Sequence, residues 1–428
     1  MDSKSFYLIS LGCAKNTVDS DSIGSLMINA GYKPVTKPGR AGILIVNTCG
    51  FIQQARQESL DELRALACRK KPGQKLIAAG SLPERLREQI VENVPGVDAI
   101  IGTRRWMDIL EVVSQVRKNP PQPLYHLPDV PAVGTDERGV LRAAIQGGSA
   151  YLKIADGCRR PCAFCSIPLI KGALVSRPAE TIIREAQMLE SKGLQELILI
   201  AQDTTDYGHD LGIKDGLPGL LEGILAATSL PWIRILYAYP GYVSDRLIEV
   251  MSANPRILPY LDMPLQHAHP QTLQRMQRPA NMEWVYATLA KMRQAMPALA
   301  LRSTFIVGYP GETEQEFQTL LEFLEEIHFD RATAFTFSFE PGTVSEPLGD
   351  PIPDEVKIER YQRLMELQAG ISLKINQSFI GKTLPVLIEG YNNGLSVGRS
   401  YRDAPEVDGL VFIQGELPVG KIAPVQIS

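Results

Sequence analysis

Six short apolar runs, each followed by a stretch of helical periodicity, occupy the middle of the chain and constrain its fold more than any other feature. They lie at residues 151–155, 196–201, 232–237, 259–263, 300–307 and 331–337. Strands that alternate with helices form parallel sheets through right-handed crossovers. Six such units in series predict a partly closed parallel barrel rather than a two-layer sheet.

Three cysteines lie in a loop directly after the first of these runs. Cys158, Cys162 and Cys165 have the spacing CxxxCxxC, and Gly157 allows a sharp turn before them. Three thiolates on one loop can bind three irons of a 4Fe–4S cluster and leave the fourth iron open for chemistry. Zinc would need a fourth ligand nearby, and the nearest downstream histidine is His209. Three unrelated buried thiols remain the structural alternative.

The first 117 residues have the pattern of an open α/β domain. Apolar runs at 6–11, 43–46 and 75–79 alternate with helical stretches. Cys13 and Cys49 follow the first two runs, at the carboxyl ends where functional residues of such sheets lie. Ser81 occupies the equivalent end of the third run, and we interpret Cys68, in a helical pattern, as a small core residue.

Three further segments complete the predicted domain organisation. Residues 118–149 contain Pro128, Pro131 and Gly134 and are predicted to be a linker. The barrel domain is predicted to span residues 150–365. Residues 366–428 contain short alternating runs separated by turns, which are typical of a small antiparallel β-barrel. This last domain is predicted to be short, because the chain stops before a final strand that we would expect.

The composition is that of an ordinary globular protein. Of the 428 residues, 44% are hydrophobic and 21% charged. The net charge of -4 excludes a global basic surface, so a nucleic acid could be contacted only through a local patch. No apolar run approaches the length of a membrane span, and the first residues have no secretory pattern. We therefore expect a cytoplasmic protein, in which cysteines are better explained as metal or catalytic ligands than as disulfides.

The motifs of the chain resemble those of the radical S-adenosylmethionine (SAM) methylthiotransferase family. The sequence CxxxCxFC after the first barrel strand is similar to the radical SAM signature, and radical SAM cores have a partial (β/α)6 TIM-like barrel. Other motifs that resemble this family are SLGCAKN at 10–16, VNTCGF at 46–51, PLQH at 264–267 and RSTFIVGYPGET at 302–313. The stretch GRSYRDAPEVDG at 398–409 is close to the RimO branch, whose terminal TRAM domain binds the macromolecular substrate.

This resemblance implies roles for particular residues. Cys158, Cys162 and Cys165 would be the catalytic ligands of the 4Fe–4S cluster that cleaves SAM. Cys13 and Cys49 would bind an auxiliary 4Fe–4S cluster whose third ligand, normally cysteine, is replaced by Ser81; a serine alkoxide is a harder and more basic ligand than a thiolate. The expected cofactor-binding residues are Phe164, Arg177, Gln202, Gln266, Arg302 and Gly308. For Arg177, an exposed helix-capping role is the alternative.

The resemblance also implies the reaction and its partners. A methylthio group would be added to the β-carbon of an aspartate in ribosomal protein S-12 of the small ribosomal subunit. A flavodoxin or ferredoxin would supply electrons, and the enzyme would act as a monomer without a membrane. Two alternatives stay open. One is a divergent radical SAM enzyme that inserts sulfur into another substrate, and the other is a non-catalytic paralogue that binds the ribosome.

Overall fold

The computed structural model describes residues 4–128 and 138–428. In chain order they form an open parallel sheet, an incomplete parallel barrel and an antiparallel sheet, which confirms the predicted mixed α/β class. Within these described residues, no helix is both long enough and apolar enough to cross a membrane.

Six strands and five α-helices form the amino-terminal part. The strands are β1 (Ser5–Ser10), β2 (Lys33–Pro34), β3 (Ile43–Thr48), β4 (Lys75–Gly80), β5 (Ala99–Gly102) and β6 (Leu124–His126). The helices are α1 (Ala14–Asn29), α2 (Gln53–Cys68), α3 (Ser81–Leu86), α4 (Glu88–Asn93) and α5 (Ile109–Val116). The strand order is β2-β1-β3-β4-β5-β6, and all neighbours are parallel. The open α/β sheet predicted from the sequence is confirmed.

Strand β3 is buried on both faces because it is apolar along most of its length. Ile43 and Ile45 contact the core that includes α1 and α5. Leu44 and Val46 contact the opposite core, which includes α2. A parallel sheet covered by helices on both sides requires such continuous apolar strands. As a result, the carboxyl ends of β1, β3 and β4 lie side by side at one edge of the sheet.

The barrel part contains nine strands and eight α-helices. The strands are β7 (Ala143–Gln146), β8 (Ser149–Lys153), β9 (Ala155–Asp156), β10 (Val175–Ser176), β11 (Glu196–Ile200), β12 (Trp232–Ile235), β13 (Tyr260–Asp262), β14 (Ala300–Val307) and β15 (Arg331–Thr336). The helices are α6 (Ile167–Lys171), α7 (Ala179–Ser191), α8 (Gly216–Ala227), α9 (Asp245–Ala253), α10 (Pro270–Arg275), α11 (Met282–Ala295), α12 (Glu314–Ile327) and α13 (Asp354–Gln377).

Six of these strands form the predicted partial (β/α)6 barrel. The parallel pairs are β8–β11, β11–β12, β13–β14 and β14–β15. A single parallel bridge between Ile233 and Ile257 connects the two halves between β12 and β13. Strand β7 pairs antiparallel with β8 at one edge, whereas β15 forms the other edge. The barrel is therefore open between β7 and β15, as the sequence analysis predicted.

Alternate side chains of the barrel strands face two different cores. Leu197 and Leu199 of β11 pack under the surrounding helices. Ile198 and Ile200 face the lumen, where they share a core with Ala14 of α1 and with residues near the carboxyl terminus. The amino-terminal and carboxy-terminal parts therefore both help to fill the open side of the barrel.

Four antiparallel strands form the carboxy-terminal part. They are β16 (Thr383–Asn392), β17 (Leu395–Ser400), β18 (Val411–Gln414) and β19 (Ile422–Gln426), in the order β18-β17-β16-β19. Within the described residues this sheet is an antiparallel half-barrel with two open edges, which agrees with the small antiparallel barrel predicted from the sequence. A last strand, β19, is present and pairs with β16, although the sequence had suggested that the chain stops before one.

The segment predicted to be a linker contains regular structure at both ends. Strand β6 adds to the amino-terminal sheet, and strand β7 adds to the barrel sheet. Pro128 lies just after β6. Pro131 and Gly134 lie outside the described residues.

A buried ionic cluster joins the amino-terminal part to the barrel. The Asp19 carboxylate of α1 accepts hydrogen bonds from Arg142 at 2.5 Å, Lys153 at 2.5 Å and Lys171 at 2.8 Å. Asp156 is the second carboxylate of the cluster. Burial raises the pKa of Asp19, but the three cations outweigh it and hold that pKa well below its usual range. Docking of the two parts therefore depends on complete charge pairing.

A second buried cluster joins the barrel to the carboxy-terminal sheet. Glu196 of β11 binds Arg234 of β12 and Arg399 of β17, both at 2.7 Å. Arg234 also donates to the carbonyl oxygen of Tyr401 at 2.8 Å. Glu196 is the first residue of β11, so its bond to Arg399 holds the carboxy-terminal sheet near the amino-terminal end of that strand.

Candidate functional site

The three-cysteine loop begins at a turn that only glycine can make. Gly157 has φ +75°, and a Cβ atom on it would lie 1.9 Å from the carbonyl oxygen of Ala173. The next residue, Cys158, donates its backbone N–H to the carbonyl of Gly172 at 3.1 Å. The turn therefore brings the loop back against the segment that follows it.

Backbone hydrogen bonds fix the middle of the loop against the barrel. Ala163 donates to the carbonyl of Met276 at 2.9 Å and accepts from the N–H of Ser345 at 2.9 Å. The half-buried ring of Phe164 packs beside Met276 and Tyr309. The positions of the cysteines are thus set by contacts with α10 and with the segment after β15.

Hydrogen-bond donors surround the sulfur atoms of this loop. The Arg160 N–H lies 3.4 Å from Cys158 Sγ, and Arg278 Nη1 lies 3.4 Å from Cys162 Sγ. The Tyr239 hydroxyl is 3.6 Å from Cys162 Sγ. Such donors stabilise thiolates. All three thiols are free and half-buried, which fits their predicted role as cluster ligands.

Burial disfavours ionisation of two of these thiols in the metal-free protein. It raises the pKa of Cys158 to about 11 and that of Cys165 to about 12. Among the described residues, no three His, Cys, Asp or Glu side chains are placed to share a single metal ion. A 4Fe–4S cluster does not require such a group, because each thiolate binds a different iron and displaces its proton on binding.

Two glutamines at the ends of barrel strands have unpaired buried oxygens. Gln202 follows β11 and Gln266 follows β13, and the Oε1 atom of each is buried without a hydrogen-bond partner. Gln266 has φ +74°, a backbone conformation that residues other than glycine rarely adopt. Unsatisfied acceptors and backbone strain concentrate at functional sites. Both residues lie at the carboxyl ends of the strands, where the three-cysteine loop also lies.

Two predicted cofactor residues form ion pairs within the protein. Arg177 is buried, and its guanidinium binds both carboxylate oxygens of Glu185, at 2.7 and 2.9 Å. It is neither exposed nor a helix cap, and its surroundings do not support a cofactor contact. Arg302 binds Asp262 at 2.8 Å and Asp408 at 3.3 Å. These ion pairs hold elements of the barrel together.

Gly308 is required for packing between elements. It has φ +75°, and a Cβ atom on it would lie 2.4 Å from Cγ of Lys357. Its N–H donates to both oxygens of Glu312 at 3.0 Å, and Glu312 also binds Arg360 at 2.8 Å. The backbone at Gly308, which we expected to contact a cofactor, is approached here by the Lys357 side chain of α13. His267 is fully buried, with Nε2 3.5 Å from Glu312, consistent with a structural role.

The strand ends of the amino-terminal sheet bring Cys13, Cys49 and Ser81 to one edge. A Cβ atom on Gly12 would lie 3.1 Å from Cys49 Sγ, so the loop containing Cys13 passes directly over Cys49. The Ser81 hydroxyl accepts the N–H of Gly50 at 2.7 Å and lies 3.2 Å from the carbonyl of Thr48. Its hydrogen bonds therefore connect the ends of β3 and β4.

Cys68 does not take part in this cluster. It is the last residue of α2 and is exposed, so its interpretation as a core residue is wrong. Helix α2 begins near Cys49 and has 16 residues. With a rise of 1.5 Å per residue, Cys68 lies about 22 Å farther along the helix, beyond the reach of a shared cluster.

Cys13 and Cys49 have different acidities. Burial raises the pKa of Cys13, but the ammonium of Lys15 and the N–H groups of the first turn of α1 outweigh burial, so that pKa is lowered. Burial raises the pKa of Cys49. Cys13 is exposed, whereas Cys49 is half-buried.

Lys15 and Asn16 of the SLGCAKN motif were not among the predicted site residues. The Asn16 amide donates to the carbonyls of Leu11 at 2.5 Å and Asn47 at 3.0 Å, which fixes the start of α1 onto the ends of β1 and β3. Lys15 reaches across to the barrel, with Nζ 3.3 Å from the ring centroid of Tyr237. Both residues were visible in the motif, whereas nothing in the sequence indicated Arg278 or Tyr239 as contacts of Cys162.

Family models match three regions of the chain. Residues 5–102 match a family described as uncharacterized protein family UPF0004. Residues 152–324 match the radical SAM superfamily, and residues 380–428 match the TRAM domain. The matched regions correspond to the open sheet, most of the barrel and the antiparallel sheet.

Named relatives align with nearly the whole chain. The chain is 46% identical to the ribosomal protein uS12 methylthiotransferase RimO of Roseiflexus sp. (strain RS-1), over 99% of this chain and 94% of the relative. It is also 46% identical to the RimO protein of Chloroflexus aurantiacus, over 99% and 97%. The RimO protein of Thermoanaerobacter sp. is 43% identical, over 96% and 94%.

Solved structures share the fold at low sequence identity. The radical SAM methyltransferase TsrM of Kitasatospora setae, with cobalamin and a 4Fe–4S cluster bound, matches with a TM-score of 0.58 and 12% identity, over 80% of this chain and 77% of that chain. The cobalamin-dependent radical enzyme OxsB matches with a TM-score of 0.53 and 13% identity, over 86% and 56%. At these identities the likeness concerns the fold alone.

Proposed function

Because this chain belongs to the RimO family of ribosomal protein uS12 methylthiotransferases, we propose that it adds a methylthio group to the β-carbon of an aspartate in uS12. The main support is the three-cysteine loop at the carboxyl end of β8, with N–H and guanidinium donors directed at its sulfurs. The hydrogens of the target carbon are adjacent to an ionised carboxylate and are too weakly acidic for an ordinary side-chain base at neutral pH. The reaction requires hydrogen-atom removal.

Cys158, Cys162 and Cys165 are the residues that would hold a 4Fe–4S cluster. When bound, the cluster and SAM supply a carbon radical able to remove a hydrogen atom from an unactivated carbon. The side chain of Arg278 would stabilise the thiolate of Cys162. Packing of Phe164 against the barrel would keep the loop from moving.

Gln202 and Gln266 are the residues that we propose for binding SAM. Each presents a buried oxygen that lacks a donor, and SAM carries amino and hydroxyl donors. Arg177 and Arg302 are better explained as positioning residues, because carboxylates of the protein already occupy their guanidinium groups. Gly308 is likewise assigned to packing.

The residues at the auxiliary site do not fit a three-thiolate cluster. Cys13 and Cys49 supply two thiols, but Ser81 contributes a neutral hydroxyl already hydrogen-bonded to Gly50. A serine is a poor iron ligand unless it is deprotonated. This departure favours a second candidate function, a radical SAM reaction without sulfur transfer.

The proposed function can be tested with anaerobically reconstituted enzyme. The enzyme is incubated with SAM, a reductant and uS12 or small ribosomal subunits, and uS12 is examined by mass spectrometry. We expect one methylthio group in place of one hydrogen on an aspartate. Formation of 5′-deoxyadenosine is measured in the same samples, and iron is counted per chain.

The outcomes separate the two candidates. Methylthiolated uS12 supports the proposed function, and about eight irons per chain would indicate that both clusters form despite Ser81. About four irons, together with SAM cleavage and unmodified uS12, would contradict sulfur transfer and support the second candidate. Absence of SAM cleavage would contradict both candidates and favour a ribosome-binding role.

Partners and location follow from this proposal. A substrate in the small ribosomal subunit implies that the enzyme acts in the cytoplasm. We propose that a flavodoxin or ferredoxin supplies electrons and that the enzyme acts as a monomer. Gel filtration of the reconstituted enzyme and reduction by purified flavodoxin would test these two points.

A further inference from the structure

Lys15 forms no ion pair with a carboxylate among the described residues, although Cys13, Asp262 and Asp156 attract it electrostatically. Its Nζ atom lies 3.3 Å from the ring centroid of Tyr237. Within residues 4–128 and 138–428, neither a hydrogen bond nor an ion pair engages this ammonium. Holding a cation among protein atoms without an anion costs free energy, which a bound anion would recover.

The cations around Lys15 are already paired. Lys153 and Lys171 share Asp19 and Asp156. Farther into the barrel, Arg302 binds Asp262 and Asp408. One oxygen of Asp262 binds Arg302, the other accepts the N–H of Tyr237 at 3.3 Å, and no ion pair joins Asp262 to Lys15 among the described residues. Lys153, Lys171 and Arg302 are therefore ion-paired with carboxylates of the protein, whereas Lys15 forms no such pair among the described residues.

The position of Lys15 is fixed from both sides. On the amino-terminal side, Asn16 of α1 and Asn47 of β3 each donate a side-chain amide hydrogen bond to the other's backbone carbonyl, both at 3.0 Å. On the barrel side, Tyr237 has φ +64° and its carbonyl accepts from Thr204 at 3.0 Å. The Lys15–Tyr237 contact thus connects two rigid elements.

Lys15 lies between the two sets of cysteines. It is two residues from Cys13 in the sequence, and it stacks on Tyr237. Two residues after Tyr237, the hydroxyl of Tyr239 lies 3.6 Å from Cys162 Sγ. The short segment from Tyr237 to Tyr239 therefore spans the distance between Lys15 and the three-cysteine loop. A substrate carbon that reacts in this space would come close to the Lys15 ammonium.

We propose that the ammonium of Lys15 binds the side-chain carboxylate of the substrate aspartate and thereby selects an acidic target. This inference rests on the proposed function. The carboxylate is bonded directly to the β-carbon, so fixing the carboxylate also fixes the carbon that reacts. Tyr237 supports the ammonium from the opposite side by a cation–π contact.

The test compares two substrates with three enzyme variants. The substrates are uS12 with its native target aspartate and uS12 with that aspartate replaced by asparagine. The variants are Lys15→Met, Lys15→Arg and, as a matched control, Lys37→Met, which changes an exposed lysine of the same part of the chain. The readouts are kcat/KM for methylthiolation, SAM affinity and iron content.

We expect Lys15→Met to lower kcat/KM for the aspartate substrate about 100-fold, as for removal of one member of a desolvated charge pair. The preference for aspartate over asparagine should disappear. Lys15→Arg should retain part of that preference, and Lys37→Met should match the wild type. SAM affinity should be unchanged in all variants, and the substrate preference is compared at equal iron content because Lys15 also lowers the pKa of Cys13.

Three results would overturn the inference. An equal loss on both substrates would indicate a structural role, and a loss of SAM affinity would assign Lys15 to the cofactors. An unchanged preference for aspartate would exclude charge recognition by Lys15. A wild-type enzyme that leaves uS12 unmodified would instead refute the proposed function, and this inference with it.

Discussion

Ser81 shows how one side chain alters the properties of a site without altering its fold. Its hydroxyl joins Gly50 and Thr48 across the ends of β3 and β4, so the loops keep the arrangement that brings Cys13 and Cys49 together. A cysteine at this position would offer a thiolate ligand instead of these hydrogen bonds. The three strand ends are therefore arranged as in a three-ligand site, but only two of them supply a thiol.

Replacing Ser81 with cysteine should strengthen iron binding at this edge of the sheet. We expect Ser81→Cys to retain up to about four more irons per chain than the wild type after exposure to a chelator. Ser81→Ala removes a hydroxyl without adding a ligand, so its iron retention should match the wild type. Cys68→Ala, at the far end of α2, should have no effect. Iron assays after timed chelation would measure this, and equal retention in all variants would contradict it.

At the scale of elements, the ends of strands determine where chemistry can occur. The three-cysteine loop follows β8, and the unpaired glutamines follow β11 and β13, so they share one rim of the barrel. The turn at Gly157 is the point at which the loop departs from its strand. Its geometry is strict because the carbonyl of Ala173 fills the space beside its Cα atom.

Gly157→Ala should displace the three-cysteine loop. The new Cβ atom would need a left-handed backbone and would clash with Ala173, a combined cost of roughly 2–4 kcal/mol. Gly193→Ala is the matched control, because Gly193 has φ +82° but no atom near its Cβ position, so only about 1 kcal/mol should be lost. Urea midpoints and iron content would distinguish them. Full iron content in Gly157→Ala would show that the turn tolerates a side chain.

At the scale of the whole molecule, the three parts meet through buried ion pairs and through the filled lumen. Asp19 connects α1 to the barrel, and Glu196 connects the barrel to β17. The lumen core includes Ala14 from one side and Leu387 from the other. These contacts fix the rim of the barrel relative to the strand ends of the amino-terminal sheet. The contact between Lys15 and Tyr237 depends on this fixed arrangement.

Asp19→Asn should destabilise the docking of the amino-terminal part. It leaves Arg142, Lys153 and Lys171 with Asp156 as the remaining carboxylate, and breaking a buried ionic cluster costs about 3–5 kcal/mol. Asp61→Asn, which breaks an exposed pair, should change stability by less than about 1 kcal/mol. Urea unfolding of both variants would test this. Similar losses in the two would mean that the buried cluster contributes no more than the surface pair.

The contribution of Asp19 should depend on pH in the acid range. Its folded-state pKa is depressed, so its stabilisation is complete above the unfolded-state value of about 4 and is lost as the pH falls below it. The difference in unfolding free energy between wild type and Asp19→Asn should therefore shrink between about pH 5 and pH 3. Metal-free protein is used, because acid also releases iron. A constant difference over this range would contradict the prediction.

Local patterns in the sequence sufficed for the strands, the barrel and the cysteine motifs. An apolar run of strand length can be recognised without knowing what packs around it. The spacing of Cys158, Cys162 and Cys165 is likewise a property of one loop. The same reasoning located Cys13, Cys49 and Ser81 at three strand ends. It could not decide the partners of long polar side chains, since those partners lie far away along the chain.

Only the tertiary structure decided which polar groups are committed and which are free. Arg177 pairs with Glu185, Arg302 pairs with Asp262, and Gly308 accommodates Lys357, so these predicted contacts of a cofactor are used inside the protein. The sequence by itself determined where ligands for iron occur. The folded molecule determined that Lys15 meets Tyr237, because only packing of α1 against the barrel brings the two together.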